Sequence, residues 1–247
     1  MRNTELSDRV IIALDVATFD EARQLMEQLS NKAGMFKVGS QLFTSVGPDI
    51  IREIKGKGKR LFLDLKFHDI PNTVARASEV ATELGVDMFN VHVSGGLEMM
   101  RAAAEATKSK ASELGIEKPI ILGVTILTSI DALTFQQDFA SSNSLQEQIV
   151  YMARLAQRAG LDGVVASPQE IQFIRIACGN DFVVVTPGVR PEWAAQDDQK
   201  RTMTPAEALA AGANYVVIGR PIYQSPEPAN ALKRVLQQLE DGFQIPS

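Results

Sequence analysis

Lys66 stands between two carboxylates in the run Asp64-Leu-Lys-Phe-His-Asp69. An ammonium set among acidic groups is a proton donor at neutral pH and a fixed positive charge beside which negative charge can develop. The run extends the alternating segment Leu61-Phe-Leu-Asp-Leu-Lys-Phe67, and such alternation argues for a β-strand. Side chains two apart in a strand share a face, roughly 6.6 Å apart along it. Phe62, Asp64 and Lys66 therefore point one way, and Leu61, Leu63, Leu65 and Phe67 the other. Asp69 follows the strand, and Pro71 closes the turn. The segment reads as a proton-handling device at a strand's C-terminal end. Taken alone, it reads equally well as an amphipathic strand with one wet face.

The elements that position this device recur along the chain. Short apolar runs predict strands at Val10–Leu14, Met35–Val38, Leu61–Leu65, Met88–Val91, Ile120–Val124, Gly163–Val165, Phe182–Thr186 and Tyr215–Ile218. Helical spacing predicts helices at Phe19–Leu29, Thr73–Leu84, Gly96–Ala106, Leu145–Ala159, Ile171–Ala177, Pro205–Ala211 and Asn230–Leu239. Thr204-Pro205 reads as an N-cap followed by proline at the first helical position. Gln136–Asn143 and Arg190–Arg201 read as the longest irregular stretches. Eightfold strand–helix alternation predicts an α/β fold with a parallel sheet, closed as a single (β/α)8 TIM barrel over residues 1–247. A doubly wound sheet is the other architecture of this pattern, but no Gly-x-Gly-x-x-Gly follows the first strand.

Barrel sites are built at the C-terminal ends of the strands. Those ends carry Asp15, Lys37, Asp64 with Lys66, His92, Thr125 with Thr128, Ser167, Thr186 through Arg190, and Gly219-Arg220. Polar residues thus gather at one end of at least six strands. Arg190 and Gly219-Arg220 follow the seventh and eighth strands, where barrels commonly hold phosphate. Glycine lets backbone N–H groups approach an anion, and arginine grips two oxygens at once. Pro191–Arg201, which contains Gln199 and Trp193, is long enough to act as a lid over a bound phosphate.

Bulk properties narrow the classes. The 247 residues are 45% hydrophobic and 22% charged, which supplies a large core. The formal net charge is −5, and the one basic run, Lys55–Arg60, reads as a solvated helix end and turn. No nucleic-acid partner is expected. No apolar run reaches the roughly 20 residues that span a bilayer, so no membrane partner is expected either. Met1–Arg9 is polar and lacks a signal-peptide apolar stretch. Cys178 is the only cysteine, reads as a buried inert thiol, and fits a reducing, cytoplasmic setting. No His/Cys/Asp cluster has zinc spacing. The two histidines, His68 and His92, read as structural, with a buried hydrogen bond expected at His92.

Taken in order, Ile12-Ala-Leu-Asp15, Phe36-Lys-Val-Gly39, Asp64-Leu-Lys-Phe-His-Asp-Ile-Pro-Asn-Thr73, Leu127-Thr-Ser129, Thr186-Pro-Gly-Val-Arg190, Asp198-Gln199 and Ile218-Gly-Arg220 resemble the orotidine 5′-phosphate decarboxylase family across essentially the whole chain. The resemblance implies conversion of orotidine 5′-monophosphate to uridine 5′-monophosphate and carbon dioxide, the last step of de novo uridine 5′-monophosphate (pyrimidine) biosynthesis, with no metal and no organic cofactor. It implies Lys66 as proton donor and Lys37, Asp64, Lys66 and Asp69 as an alternating charge array. Asp15 and Lys37 would meet the ribose hydroxyls, and Thr128 and Ser129 the pyrimidine edge. Arg190, Gln199, Gly219 and Arg220 would hold the phosphate. The run Asp64, Leu65, Lys66, Phe67, His68, Asp69, Ile70, Pro71, Asn72 and Thr73 would line the substrate. Asp69 and Thr73 would enter a neighbouring subunit's site, which makes a homodimer the expected assembly.

Two other readings fit parts of the pattern. One is a metal-dependent sugar-phosphate aldolase or decarboxylase of the sister barrels, which share Asp-x-Lys-x-x-Asp but place a glutamate near the end of the second strand, where this chain has Lys37. The other is a non-catalytic nucleotide-binding barrel.

Overall fold

The computed structural model describes residues 6–29, 31–194 and 203–244. Eight parallel strands close on themselves in sequence order: β1 (Val10–Ala13), β2 (Met35–Gly39), β3 (Arg60–Phe67), β4 (Met88–His92), β5 (Ile120–Val124), β6 (Gly163–Val165), β7 (Val183–Pro187) and β8 (Tyr215–Ile218). Closure is made by β1 against β8, with Val10 beside Val216 and Ile12 beside Ile218. All eight strands fall within two or three residues of their predicted bounds, and the (β/α)8 expectation holds.

Helices cover the outside: α1 (Phe19–Leu29), α2 (Ser40–Val46), α3 (Asp49–Gly56), α4 (Pro71–Glu83), α5 (Gly96–Leu114), α6 (Ala132–Asp138), α7 (Leu145–Arg158), α8 (Ile171–Cys178), α9 (Pro205–Ala210), α10 (Arg220–Tyr223) and α11 (Pro228–Gln244). α9 opens as expected: Thr204 accepts the Glu207 N–H at 3.2 Å, and Pro205 takes the first position. α5 outlasts its predicted end because Thr107 and Ala111 continue the buried face in small residues. The stretch expected to be irregular from Gln136 to Asn143 is helical through Asp138. Asp131 caps α6 by accepting the Thr134 N–H at 2.9 Å, and Phe135 anchors it in the core. The basic run Lys55–Arg60 is the end of α3 and the turn into β3, with Lys55 and Arg60 ion-paired to Asp87 and Asp8. Among the described residues, no helix is long and apolar enough to cross a membrane.

The barrel interior is apolar toward the N-terminal ends of the strands. Ile11, Met35, Phe62, Met88, Leu122, Val185 and Val217 form one buried cluster there. One step further along, Lys37, Asp64 and Asn90 replace hydrocarbon. The packed lower layers thus form a floor, and polar side chains open above it.

A repeated device ties the lower rim. Asp87, Asp162 and Asn214 each precede an even-numbered strand. Each follows a glycine with positive φ by two residues: Gly85 (74°), Gly160 (85°) and Gly212 (110°). Each side-chain oxygen accepts a backbone N–H from the preceding odd strand at 2.8 Å: Leu61, Ile121 and Val184, respectively. Each backbone N–H donates back to the carbonyl of that same residue, at 3.0, 3.0 and 2.9 Å. A cation completes each clamp: Lys55 on Asp87 at 2.6 Å, Lys118 on Asp162 at 2.5 Å, and Arg175 on Asn214 at 2.5 Å.

Candidate active site

The strict alternation expected for β3 breaks at its upper end. Leu63 pairs with Phe89 and Phe67 with Val91, so β3 advances four residues while β4 advances two. The excess forms a bulge between them, and Lys66 takes φ of +54°, a left-handed conformation that costs a non-glycine residue roughly 1–3 kcal/mol. Asn90 is the residue of β4 opposite the bulge. Its Oδ1 accepts the Lys66 backbone N–H at 2.8 Å, and its Nδ2 donates to Asp64 Oδ1 at 2.7 Å. Asn90 is fully buried. One amide therefore fixes both the strained backbone of the lysine and the carboxylate beside it.

Around this clamp the charges form a chain. Lys66 Nζ lies 2.6 Å from Asp64 Oδ1, Lys37 Nζ lies 3.3 Å from Asp64 Oδ2, and Lys37 Nζ donates to Asp15 Oδ1 at 3.0 Å. Burial alone would depress the Lys37 ammonium, but the Asp64 and Asp15 carboxylates outweigh it and hold its pKa above the ordinary lysine value. Gly39, at the end of β2, makes room for the pair: a Cβ there would meet Lys37 Nζ at 3.0 Å. Tyr223 closes the wall on the β8 side. Its phenol pKa is raised by burial first and then by the Asp15 charge.

His92, at the end of β4, packs its ring against that of His68, with centroids 5.3 Å apart. The buried hydrogen bond expected at His92 is absent among the described residues; a ring contact replaces it. Burial, followed by the neighbouring His68 and Lys66, lowers the His92 pKa against the opposing pull of Asp64. The two imidazole rings thus border the lysine.

Other expected residues lie further out. Asp69 is exposed and accepts the N–H of Ile70 at 2.6 Å. It joins no ion pair with the Lys37–Asp64–Lys66 chain. Ile70, Pro71, Asn72 and Thr73 open α4 and are all exposed, Ile70 at 66%. Thr128 and Ser129 occupy an exposed turn after β5. Thr125 donates to the Val165 carbonyl at 3.2 Å, and the Ser167 N–H donates to Glu170 at 2.7 Å, so both serve the scaffold. Leu65 and Phe67 pack toward the core. Cys178 is half-buried, and burial raises its thiol pKa, in keeping with an inert role.

At the other side of the mouth, Arg190 and Arg220 line one cleft of about 510 Å³. Arg190 is 8% exposed, and its backbone N–H donates to the Met203 carbonyl at 2.9 Å. Gly219 packs against Ala13, Tyr223 and Asp15, each within 3.5 Å of where a Cβ would stand. The phosphate-type residues therefore adjoin Asp15, the outer end of the charge chain. Asp198, Gln199 and most of the segment read as a lid lie outside the described residues.

The sequence reading missed Asn90 and Tyr223, and it took Gly39 only as part of a motif. An asparagine inside the apolar strand Met88-Phe-Asn-Val-His was the available signal, because that residue type is depleted in strands.

The family model described as "Orotidine 5'-phosphate decarboxylase / HUMPS family" matches residues 8–235. The chain belongs to this family. A relative named orotidine 5′-phosphate decarboxylase from Geobacter sulfurreducens is 51% identical over 98% of this chain and 100% of its own length. A second, from Heliobacterium modesticaldum, is 50% identical over 97% of this chain and 98% of its own. Among solved structures, orotidine 5′-phosphate decarboxylase from Lactobacillus acidophilus superposes with a TM-score of 0.82 at 32% identity, covering 93% of this chain and 98% of that one. An uncharacterized conserved protein from Geobacillus kaustophilus gives the same TM-score at 35% identity. The family's frame thus spans β1 to α11, and the charge chain lies inside it.

Proposed function

We propose that this chain decarboxylates orotidine 5′-monophosphate to uridine 5′-monophosphate and carbon dioxide, with Lys66 as proton donor. The observation that carries the reading is the Lys37–Asp64–Lys66 chain, clamped by Asn90, at the mouth of the barrel of a decarboxylase-family protein. In this reaction the bond between C6 and the carboxylate breaks, carbon dioxide leaves, and the electron pair remains on C6. Lys66 Nζ–H then passes its proton to C6, and the amine recovers a proton from solvent. The ammonium attracts the pair as it forms, so it interacts better with the transition state than with the substrate. Asp64 holds that ammonium in place and is itself held by Asn90 and Lys37. Such preorganisation avoids rearrangement during the reaction. Asp15 and Lys37 take the ribose hydroxyls, Thr128 and Ser129 the pyrimidine edge, and Arg190, Gly219 and Arg220 the phosphate, with Gln199 assigned there by its motif.

The assembly is a homodimer in which Asp69 and Thr73 complete the partner's site. Their exposure supports this, as does the bare Ile70 beside them, the kind of surface a subunit contact covers.

Purified protein mixed with orotidine 5′-monophosphate should show the ultraviolet absorbance change of orotate conversion to uracil, undiminished by EDTA. No change overturns the activity, and loss with EDTA favours the metal-dependent reading. The shared site has its own test. Dimers re-formed from equal Lys66→Ala and Asp69→Ala chains should regain about a quarter of wild-type activity, since half would be mixed dimers with one intact site. No regain would place Asp69 outside the partner's site.

A further inference from the structure

The cleft at the phosphate end is wider than one phosphate requires. Its volume of about 510 Å³ lies within the roughly 300–1,000 Å³ of sites that hold whole small molecules. Three arginines from separate elements line it: Arg190 after β7, Arg220 at the start of α10, and Arg234 from α11. The first two are assigned above to the substrate's phosphate. Arg234 has no such role. It is exposed, and its guanidinium carbon sits 4.3 Å from the centroid of the Trp193 ring. That contact fixes the cation without consuming its N–H donors.

Trp193 adds a second observation. Its Nε1 is buried and has no hydrogen-bond partner among the described residues, although a buried indole N–H normally finds an acceptor. Gln224 and Asn230 add neutral donors to the lining, and Glu227 is the one carboxylate among its described residues, reached by the Asn230 amide at 3.4 Å. Among the described lining residues, three guanidiniums stand against one carboxylate. The cleft thus joins the phosphate arginines to a third cation, Arg234.

We infer that this cleft accepts a diphosphate group, with the first phosphoryl group on Arg190 and Arg220 and the second on Arg234, so that a pyrimidine nucleoside 5′-diphosphate competes with the monophosphate substrate. The inference rests on the assignment of Arg190 and Arg220 to phosphate. Inorganic pyrophosphate carries the same group and is the other source of it.

The test is inhibition of decarboxylation by uridine 5′-monophosphate, uridine 5′-diphosphate and pyrophosphate at fixed ionic strength. In the unsubstituted enzyme the diphosphate should bind about tenfold more tightly than the monophosphate, the gain of one charge-assisted contact. Arg234→Gln should abolish that gain, Arg234→Lys should keep part of it, and both should leave turnover and monophosphate inhibition within about twofold. Pyrophosphate inhibition that also depends on Arg234 would mean that the diphosphate group alone suffices. Weak pyrophosphate inhibition beside a strong nucleoside diphosphate would mean that the nucleoside is needed as an anchor. Both support the site. A diphosphate no tighter than the monophosphate overturns it, as does an advantage that survives in Arg234→Gln. If Arg220→Ala leaves monophosphate inhibition unchanged, the underlying phosphate assignment fails instead.

Discussion

At the lower rim of the barrel, Asp87 and Asp162 each receive a backbone N–H and a lysine, and Asn214 receives a backbone N–H and an arginine. At the upper rim, Asp64 receives two lysines and an asparagine amide, all of them side chains, on a strand that has left its regular register. Both ends pair carboxylates with cations. They differ in what the pairing is anchored to. The lower oxygens are tied to the sheet's own backbone, so their loss loosens the fold. The upper ones are tied to each other and face an opening, so their strength is available to a reactant. The upper end also holds a non-glycine residue at φ +54°, and such strain collects at functional sites supported from elsewhere.

The largest effect expected from this contrast is on Lys66. Lys66→Ala should lower kcat/KM by at least about a thousandfold, since it removes both the proton donor and the charge that stabilises the carbanion. The melting temperature should hold or rise, because active-site arrangements are commonly kept at a cost in stability. Absorbance kinetics and thermal circular dichroism read the two quantities side by side. A drop in melting temperature beyond about 5 °C, roughly 2 kcal/mol in a chain of this size, would break the contrast by making Lys66 structural.

The mirror case is Asp162→Ala at the lower rim. It strands the Ile121 N–H and leaves Lys118 without its partner. A buried donor left unpaired costs about 1–3 kcal/mol, which lowers the melting temperature by roughly 2–12 °C in a chain of this size. Activity at 25 °C should stay within about threefold of wild type, because no part of the clamp approaches the mouth. A large loss of kcat with unchanged stability would show that the two ends are coupled.

The strands were legible because period-two and continuous apolar runs are local signals, and strand-end residues such as Asp15, Lys37 and Arg190 could be read off once the strands were placed. Order along the chain then put them at one mouth. The bulge at Lys66 was not legible. It depends on which residue of β4 stands opposite, and the register between two strands lies outside either one's pattern. Asn90 was missed for the same reason, since its importance comes from reaching across that bulge. The Gly-x-Asp and Gly-x-Asn steps before β4, β6 and β8 stand openly in the sequence, yet they become a clamp only when each meets the strand before it. α2, α6 and α10 were missed, and α3 was read only from its basic end, because these helices are short and their ends are set by packing.

A carboxylate at the upper rim, but outside the charge chain, gives the finest test of this contrast. Glu170 follows β6 and accepts the Ser167 N–H at 2.7 Å, much as Asp162 accepts that of Ile121. Among the described residues it has no cation of the kind that Asp162 has in Lys118, and burial pushes its pKa up to about 7, against the lowering effect of the Ser167 bond. A carboxyl whose folded-state pKa exceeds its unfolded value holds its proton more tightly when folded. Its contribution to stability is therefore full below about pH 4.3 and is lost as pH rises through about 7. Glu170→Gln keeps an acceptor for Ser167 and removes the ionisation. Its melting temperature should exceed that of wild type by about 4 °C at pH 8, on the order of 1–2 kcal/mol, with the gap closing near pH 4.5. Melting curves that stay parallel from pH 4.5 to 8 would mean that a backbone N–H alone suffices to hold a buried carboxylate, and that the lysines of the lower clamps are dispensable.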